Sequence, residues 1–139
     1  MTTREWFERA RTVTMELEAL KETRDSIEAK LTDTTANLSA EVVDGSKDPH
    51  KFDQLGDICY QINEAIKTCN QIYAETMAVI RKIDNGRYRT LLELRYIKNE
   101  TFEKIAVKMN YSWRQTHRIH GWALVAAGEV MKKNAKDSH

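Results

Sequence analysis

The N-terminal part of the chain repeats apolar residues at alternating steps of four and three, the heptad pattern of a helix that packs along one stripe. Arg24 interrupts a stripe otherwise formed by Trp6, Ala10, Val13, Leu17, Leu20, Ile27 and Leu31. Thr2 and Glu5 have the spacing of a capping box, so the helix is predicted to begin at Thr2 or Thr3. Because one helix cannot bury so narrow a stripe by itself, the pattern predicts a partner helix.

A second amphipathic stripe follows Asp48 and Pro49, which suit the N-cap and the first position of a helix. It continues to about Asp84 and, at the same alternating steps, comprises Phe52, Leu55, Cys59, Ile62, Ile66, Cys69, Tyr73, Thr76, Ile80 and Ile83. Four more apolar residues widen it, namely Ile58, Ile72, Met77 and Val79. The two cysteines are interpreted as buried packing residues, since nearly three helical turns separate them, too far for a disulfide or a shared metal.

Together these stripes predict an antiparallel, coiled-coil-like helical hairpin over residues 1–85, with a mobile loop over residues 32–48. The width of the second stripe suits a helix that contacts more than one neighbour. The hairpin is therefore expected to pair with a second copy, as a dimer or a larger homo-oligomer. Coverage of the same surface by a third helix of the chain is the alternative.

Asn85 and Gly86 can both adopt left-handed backbone and are predicted to end the second helix. Three shorter helical segments follow, over residues 87–97, over residues 102–109, and from Ser112 to about Lys133. Thr101 is a candidate N-cap for the middle one. The predicted fold class is therefore all-α, with a three-helix domain over residues 86–139.

The spacing of residues 101–124 is that of a helix-turn-helix. Asn110 stands where left-handed backbone is needed, and Tyr111 is expected to fold back into the core. Ser112 and Gln115 have capping-box spacing at the start of the second helix. The residues predicted to face inward are Ile119, Leu124 and either Trp122 or Ala123. A three-helix packing unit whose turn has this form by chance is the alternative interpretation.

In a DNA-bound helix-turn-helix, the first turns of the second helix meet base edges in the major groove. Here those turns supply Ser112, Trp113, Arg114, Gln115, His117 and Arg118. Arginine can pair with guanine and glutamine with adenine, while Trp113 could stack on a sugar, contact a thymine methyl or pack on the protein. Basic residues outside that helix are expected at phosphates, namely Arg87, Arg89, Arg95, Lys104 and Lys108.

The charge distribution agrees with an anionic partner for the C-terminal part. Residues 1–85 hold 11 basic and 16 acidic residues, a balance of −5. Residues 86–139 hold 11 basic and 5 acidic residues, a balance of +6. Such asymmetry indicates an anionic partner for the C-terminal part, such as nucleic acid or an acidic protein. Chance clustering of charges that only solvate the helix faces is the alternative.

Other classes of function find little support in the 139 residues. No apolar run approaches the roughly 18 residues of a membrane span, and the N-terminus lacks a signal-peptide pattern, so a cytoplasmic location without membrane partners is expected. No Gly-rich phosphate loop or catalytic motif is present, which predicts a protein that is not an enzyme. His117 and His120 lack further ligands nearby in sequence, so neither a metal nor another cofactor is expected.

Three short motifs carry a family resemblance, namely Thr101-x-Glu103-x-Ile105, Met109-x-Tyr111-Ser112 and Ile119-x-x-x-Ala123-Leu124. They resemble the C-terminal, promoter-reading domain of bacterial primary sigma factors. The layout resembles small phage regulators of the RinA/ArpU type, with motif-level likeness over residues 86–125. Two positions depart from the pattern. Thr116 replaces an aliphatic residue, and Gly121 weakens the helix by about 1 kcal/mol relative to Ala.

The resemblance implies a transcription regulator that activates late phage genes through promoter DNA, with host RNA polymerase as a further partner. The small terminase subunit of phage packaging is an alternative, because it also joins a helix-turn-helix to a coiled-coil assembly region. A pure interaction protein with a basic C-terminal part is another.

Overall fold

The computed structural model describes residues 1–38 and 49–137, with side chains described for residues 1–32 and 52–137. Every regular element in these ranges is helical. The α-helices are α1 (Thr3–Leu38), α2 (Pro49–Arg81), α3 (Gly86–Leu92), α4 (Phe102–Met109) and α5 (Trp113–Asp137). A π-helical turn, Glu93–Ile97, continues directly from α3. The predicted all-α fold class is confirmed.

The N-terminus of α1 is closed by the predicted capping box. The Glu5 N–H donates to Thr2 Oγ1 at 3.1 Å, and the Thr2 N–H donates to Glu5 Oε2 at 3.2 Å. The chain has no Gly or Pro between Thr3 and Leu38, and α1 extends over this whole range. The prediction of a loop from residue 32 is therefore wrong for residues 32–38. Its remainder, residues 39–48, lies outside the described residues.

The break after α2 differs from the prediction in its geometry. α2 ends at Arg81, slightly before the expected end near Asp84. Asn85 has extended backbone (φ −81°, ψ 116°), and its side chain accepts hydrogen bonds from the N–H groups of Arg87 and Tyr88. Asn85 is thus the N-cap of α3, and the expectation of left-handed backbone at this residue is wrong.

The chain forms two compact units, and α1 and α2 contribute to both. The hairpin unit is Met15–Thr68, and the larger unit comprises Met1–Thr14 together with Cys69–His139. The C-terminal helices and the ends of the hairpin helices thus belong to one unit. This division differs from the predicted domain boundary between residues 85 and 86, because the core of the larger unit draws on both sides of that boundary.

In the hairpin unit, the predicted stripe of α1 is half-buried at Leu17, Leu20, Arg24, Ile27 and Leu31. On α2 the buried side agrees with the predicted stripe at Ile62, which is buried, and departs from it at neighbouring positions. Ile58 is buried and Ala65 is half-buried, whereas Cys59 and Ile66 are exposed. The prediction of a buried Cys59 is therefore wrong.

In the larger unit, α1 and α2 are antiparallel. Arg9 pairs with Glu75 (Nη2 to Oε2, 3.2 Å), and the buried Cys69 thiol donates to the Val13 carbonyl at 3.4 Å. Residue numbers rise along α1 as those of the partners fall along α2, as an antiparallel hairpin requires.

A continuous core holds α5 against these ends of α1 and α2. Its buried members are Phe7, Ala10, Val79, Ile80, Ile83, Leu92, Tyr96, Ala123, Leu124 and Ala127. Burial of one large apolar side chain contributes about 1.5 to 3 kcal/mol, so this cluster fixes the middle of α5, and the first turns of α5 lie outside it. Among the helices of the described residues, none combines the length and apolar character needed to cross a bilayer.

Candidate nucleic-acid interface

A second, smaller core joins α3, α4 and the start of α5. Leu91, Ile105 and Ile119 are buried at its centre, and the partly buried residues packed around them are Tyr88, Leu94, Phe102, Met109 and Tyr111. Tyr111 thus folds back onto the core as predicted. Each of the three helices contributes one central residue, so their relative positions are fixed by packing.

The turn between α4 and α5 has the predicted backbone. The Thr101 hydroxyl accepts a hydrogen bond from the Lys104 N–H at 3.3 Å and caps α4. Asn110 is left-handed (φ 59°, ψ 47°), and the Tyr111 N–H donates to the Ala106 carbonyl at 2.9 Å, which closes the C-terminus of α4. These predictions are confirmed.

The predicted capping box also forms at the start of α5. The Gln115 N–H donates to Ser112 Oγ at 3.1 Å, and the Ser112 N–H donates to Gln115 Oε1 at 3.0 Å. Both side chains are exposed. The Gln115 amide oxygen is nevertheless occupied by the cap, so a two-point contact with adenine, which needs both amide atoms, would have to share or break this bond.

The exposed face of the first turns of α5 carries Arg114 and Arg118, four residues apart. Neither guanidinium has an ion pair or side-chain hydrogen bond with any residue that the structure describes. Arg87 and Lys104 are likewise exposed and unpaired within the described ranges. An exposed arginine keeps its five donors free for a planar acceptor.

The other predicted phosphate contacts are engaged within the protein. Arg89 donates to the Asp84 carbonyl at 2.9 Å and also to the Ile83 carbonyl, both just beyond the end of α2. Lys108 forms an ion pair with Glu100. Because lysine and arginine stems are long and flexible, the sequence alone did not show that these side chains find partners within their own unit.

Arg95 is half-buried, and its guanidinium is engaged by neighbouring groups of the protein. Its guanidinium stacks 4.0 Å from the Phe102 ring and donates to the Glu100 carbonyl at 3.0 Å. Burial, and secondarily the charge of Arg11, lower the pKa of Arg95. The expectation that Arg95 contacts phosphate is corrected accordingly.

His117 also differs from the prediction that it meets base edges. Its ring lies between two aromatic rings, with centroids 3.9 Å from Trp113 and 4.3 Å from Phe102. Its Nε2 atom is buried without a hydrogen-bond partner among the described residues. Arg114 and Arg118 therefore form the exposed face, while Trp113 and His117 form one flank of α5.

Further along α5, the buried ring of His120 contacts Tyr96 of the π-helical turn and Phe102 of α4. Its Nε2 atom and the Tyr96 Oη atom share a hydrogen bond of 2.7 Å. Burial, aided by Arg4, Arg95 and His117, lowers the pKa of His120 to about 4. Burial likewise raises the pKa of Tyr96 to about 12. His120 is thus held by Tyr96, whereas His117 is held between Trp113 and Phe102.

Of the two alternatives for the inward residue, Ala123 is fully buried and Trp122 is exposed. Thr116, which replaces an aliphatic residue of the resemblance, is fully buried, and its hydroxyl donates to the Ser112 carbonyl at 2.8 Å. The departure at Thr116 is thus accommodated by a local hydrogen bond.

Comparison with known protein families, with curated proteins and with solved structures finds no match for the chain.

Proposed function

We propose that this protein is a sequence-specific, double-stranded DNA-binding transcription regulator whose recognition helix is α5. The observation that carries the proposal is the pair Arg114 and Arg118, exposed and unpaired among the described residues, on the leading turns of the second helix of a helix-turn-helix. An unpaired guanidinium group at this position can donate two hydrogen bonds to a guanine base, one to O6 and one to N7.

The surrounding residues support the same role. α5 is held by two cores, one at its start and one along its middle, so its leading turns project from a rigid body. Rigid presentation limits the side-chain freedom lost on binding. Lys104 and Arg87, both exposed, supply charges for phosphates, which fix register and make affinity depend on salt.

The finer proposal is a cytoplasmic activator of phage late genes that contacts host RNA polymerase. It is supported by the resemblance of residues 86–125 to RinA/ArpU-type regulators. The exposed apolar residues of α2, Phe52 and Ile66, suit pairing with a second copy. Two copies would read a repeated or inverted target, with half-sites about one helical turn apart.

Selection of bound duplexes from a random pool, followed by gel shifts, tests the proposal. We expect one enriched motif whose complex survives an excess of unrelated duplex. Absence of any enriched motif, with binding abolished by the competitor, would contradict sequence-specific recognition. Light scattering on the same protein is expected to give a dimer or tetramer, whereas a ring of eight or more subunits would support a packaging role instead.

A further inference from the structure

The indole of Trp113 is an exposed aromatic group with a fixed orientation. Trp113 is the first residue of α5 and is 58% exposed. One ring face is covered by His117, with ring centroids 3.9 Å apart and planes inclined by 48°. An indole that packs on only one side leaves apolar surface beside Arg114 on the proposed recognition helix, and tryptophan, with an apolar body and one polar N–H, is enriched at interfaces.

The support beneath this indole is a stack of rings. His117 rests on Phe102 at 4.3 Å, and Phe102 in turn carries the Arg95 guanidinium at 4.0 Å. Aromatic pairs contribute beyond the area they bury, so the stack restricts the rotamers of Trp113. The buried Nε2 atom of His117 has no hydrogen-bond partner among the described residues, which leaves this ring as a spacer between two other rings.

We infer that Trp113 is a specificity-determining residue whose open surface contacts the C5 methyl of a thymine, and that His117 is its positioning residue. The inference rests on the proposed function. The methyl of thymine is the apolar group that bases present in the major groove, and neighbouring Arg114 supplies the polar contact with guanine. The indole and the guanidinium together read a thymine next to a guanine.

Uracil substitution tests the methyl contact without changing base pairing. The probe is a duplex enriched from the random pool, in which each thymine is replaced in turn by uracil. Binding of each duplex is measured by fluorescence anisotropy. At one thymine the wild type is expected to lose about fourfold in affinity, since one buried methylene-sized group is worth about 0.8 kcal/mol. Trp113→Ala is expected to bind the thymine and uracil duplexes equally.

Trp122→Ala is the matched control, because Trp122 is a second exposed tryptophan of α5, 52% exposed, that lies beyond the leading turns. It is expected to retain the uracil penalty. A Trp113→Ala variant that retains this penalty would overturn the inference. So would a wild type that tolerates uracil everywhere while Trp113→Ala still weakens binding, which would indicate a sugar contact. Failure of the wild type to select any duplex would instead overturn the proposed function.

The positioning role of His117 is tested by the ratio of the two affinities. His117→Ala is expected to bring the ratio of the affinity for the thymine duplex to that for the uracil duplex toward one, because the indole loses its support. His117→Phe is expected to restore the penalty, since it keeps a ring between Trp113 and Phe102. A residue that only stabilised the fold would lower both affinities and leave their ratio unchanged, and that result would refute the assignment.

Discussion

The buried hydrogen bond between His120 and Tyr96 makes the stability of the larger unit depend on pH. His120 is 3% exposed, and burial lowers its pKa to about 4, from 6.5 in the unfolded chain. The folded state therefore resists protonation more than the unfolded state does. The stabilisation is complete above about pH 6.5 and is lost as pH falls toward 4.

The difference between these two pKa values sets the size of the effect. A shift of this extent corresponds to a total on the order of 3 kcal/mol, of which about 2 kcal/mol is lost by pH 5. The free energy of unfolding is measured by urea titration at about pH 7 and at about pH 5, with unfolding monitored by far-UV circular dichroism.

His120→Gln is the matched control, because its amide can still share a hydrogen bond with Tyr96 but does not titrate. Carboxylates elsewhere titrate in both proteins, so the comparison isolates His120. The wild type is expected to lose about 2 kcal/mol more than His120→Gln between the two pH values. Equal losses in the two proteins would show that protonation of His120 does not cause this pH dependence.

Three further predictions concern backbone conformation and thiol exposure. Asn110→Ala is expected to lower the free energy of unfolding by about 1 kcal/mol, because Ala disfavours the left-handed backbone observed here; Asn110→Gly should not, and urea unfolding of both variants decides. Gly121→Ala should raise the free energy of unfolding by about 1 kcal/mol, since a Cβ there meets nothing within 4 Å; a decrease would contradict the open surface. Cys59, exposed, should react rapidly with a thiol reagent, and Cys69 only on unfolding; equal rates would argue against the observed burial.

Features determined by neighbouring residues could be predicted from the sequence. The capping boxes of α1 and α5 and the left-handed Asn110 each depend on a few adjacent residues, and all three are confirmed. The π-helical turn Glu93–Ile97 and the left-handed Asn99 that follows it were missed. Asn99 accepts a hydrogen bond from Arg11 at 2.8 Å, a contact across 88 residues that no local pattern indicates.

The buried side of α2 shows a different limit. Ile58 and Cys59 are adjacent, as are Ala65 and Ile66, so two stripes that share Leu55, Ile62 and Cys69 fit the alternation of three and four equally well. Packing selected Ile58 and Ala65. At the candidate site, local pattern placed Arg114 and Arg118 on the exposed face. The inward stack of His117 and the bond from His120 depend on Phe102 and Tyr96, which precede α5 in the chain.

Whether the leading turns of α5 bind DNA is decided by the affinity of two double variants for DNA over a range of salt concentrations. Arg114→Ala with Arg118→Ala removes two charges there. The control, Lys132→Ala with Lys136→Ala, removes two exposed charges of the same helix about 27 Å away. Anisotropy on the selected duplex is measured over a series of salt concentrations.

The arginine variant is expected to lose about 30-fold or more in affinity, since each of the two base contacts contributes about 1 to 3 kcal/mol. The lysine variant should remain within about threefold of the wild type, because only long-range charge changes. Equal losses in the two variants, or unchanged binding by the arginine variant at every salt concentration, would contradict the assignment of α5 as the DNA-reading helix.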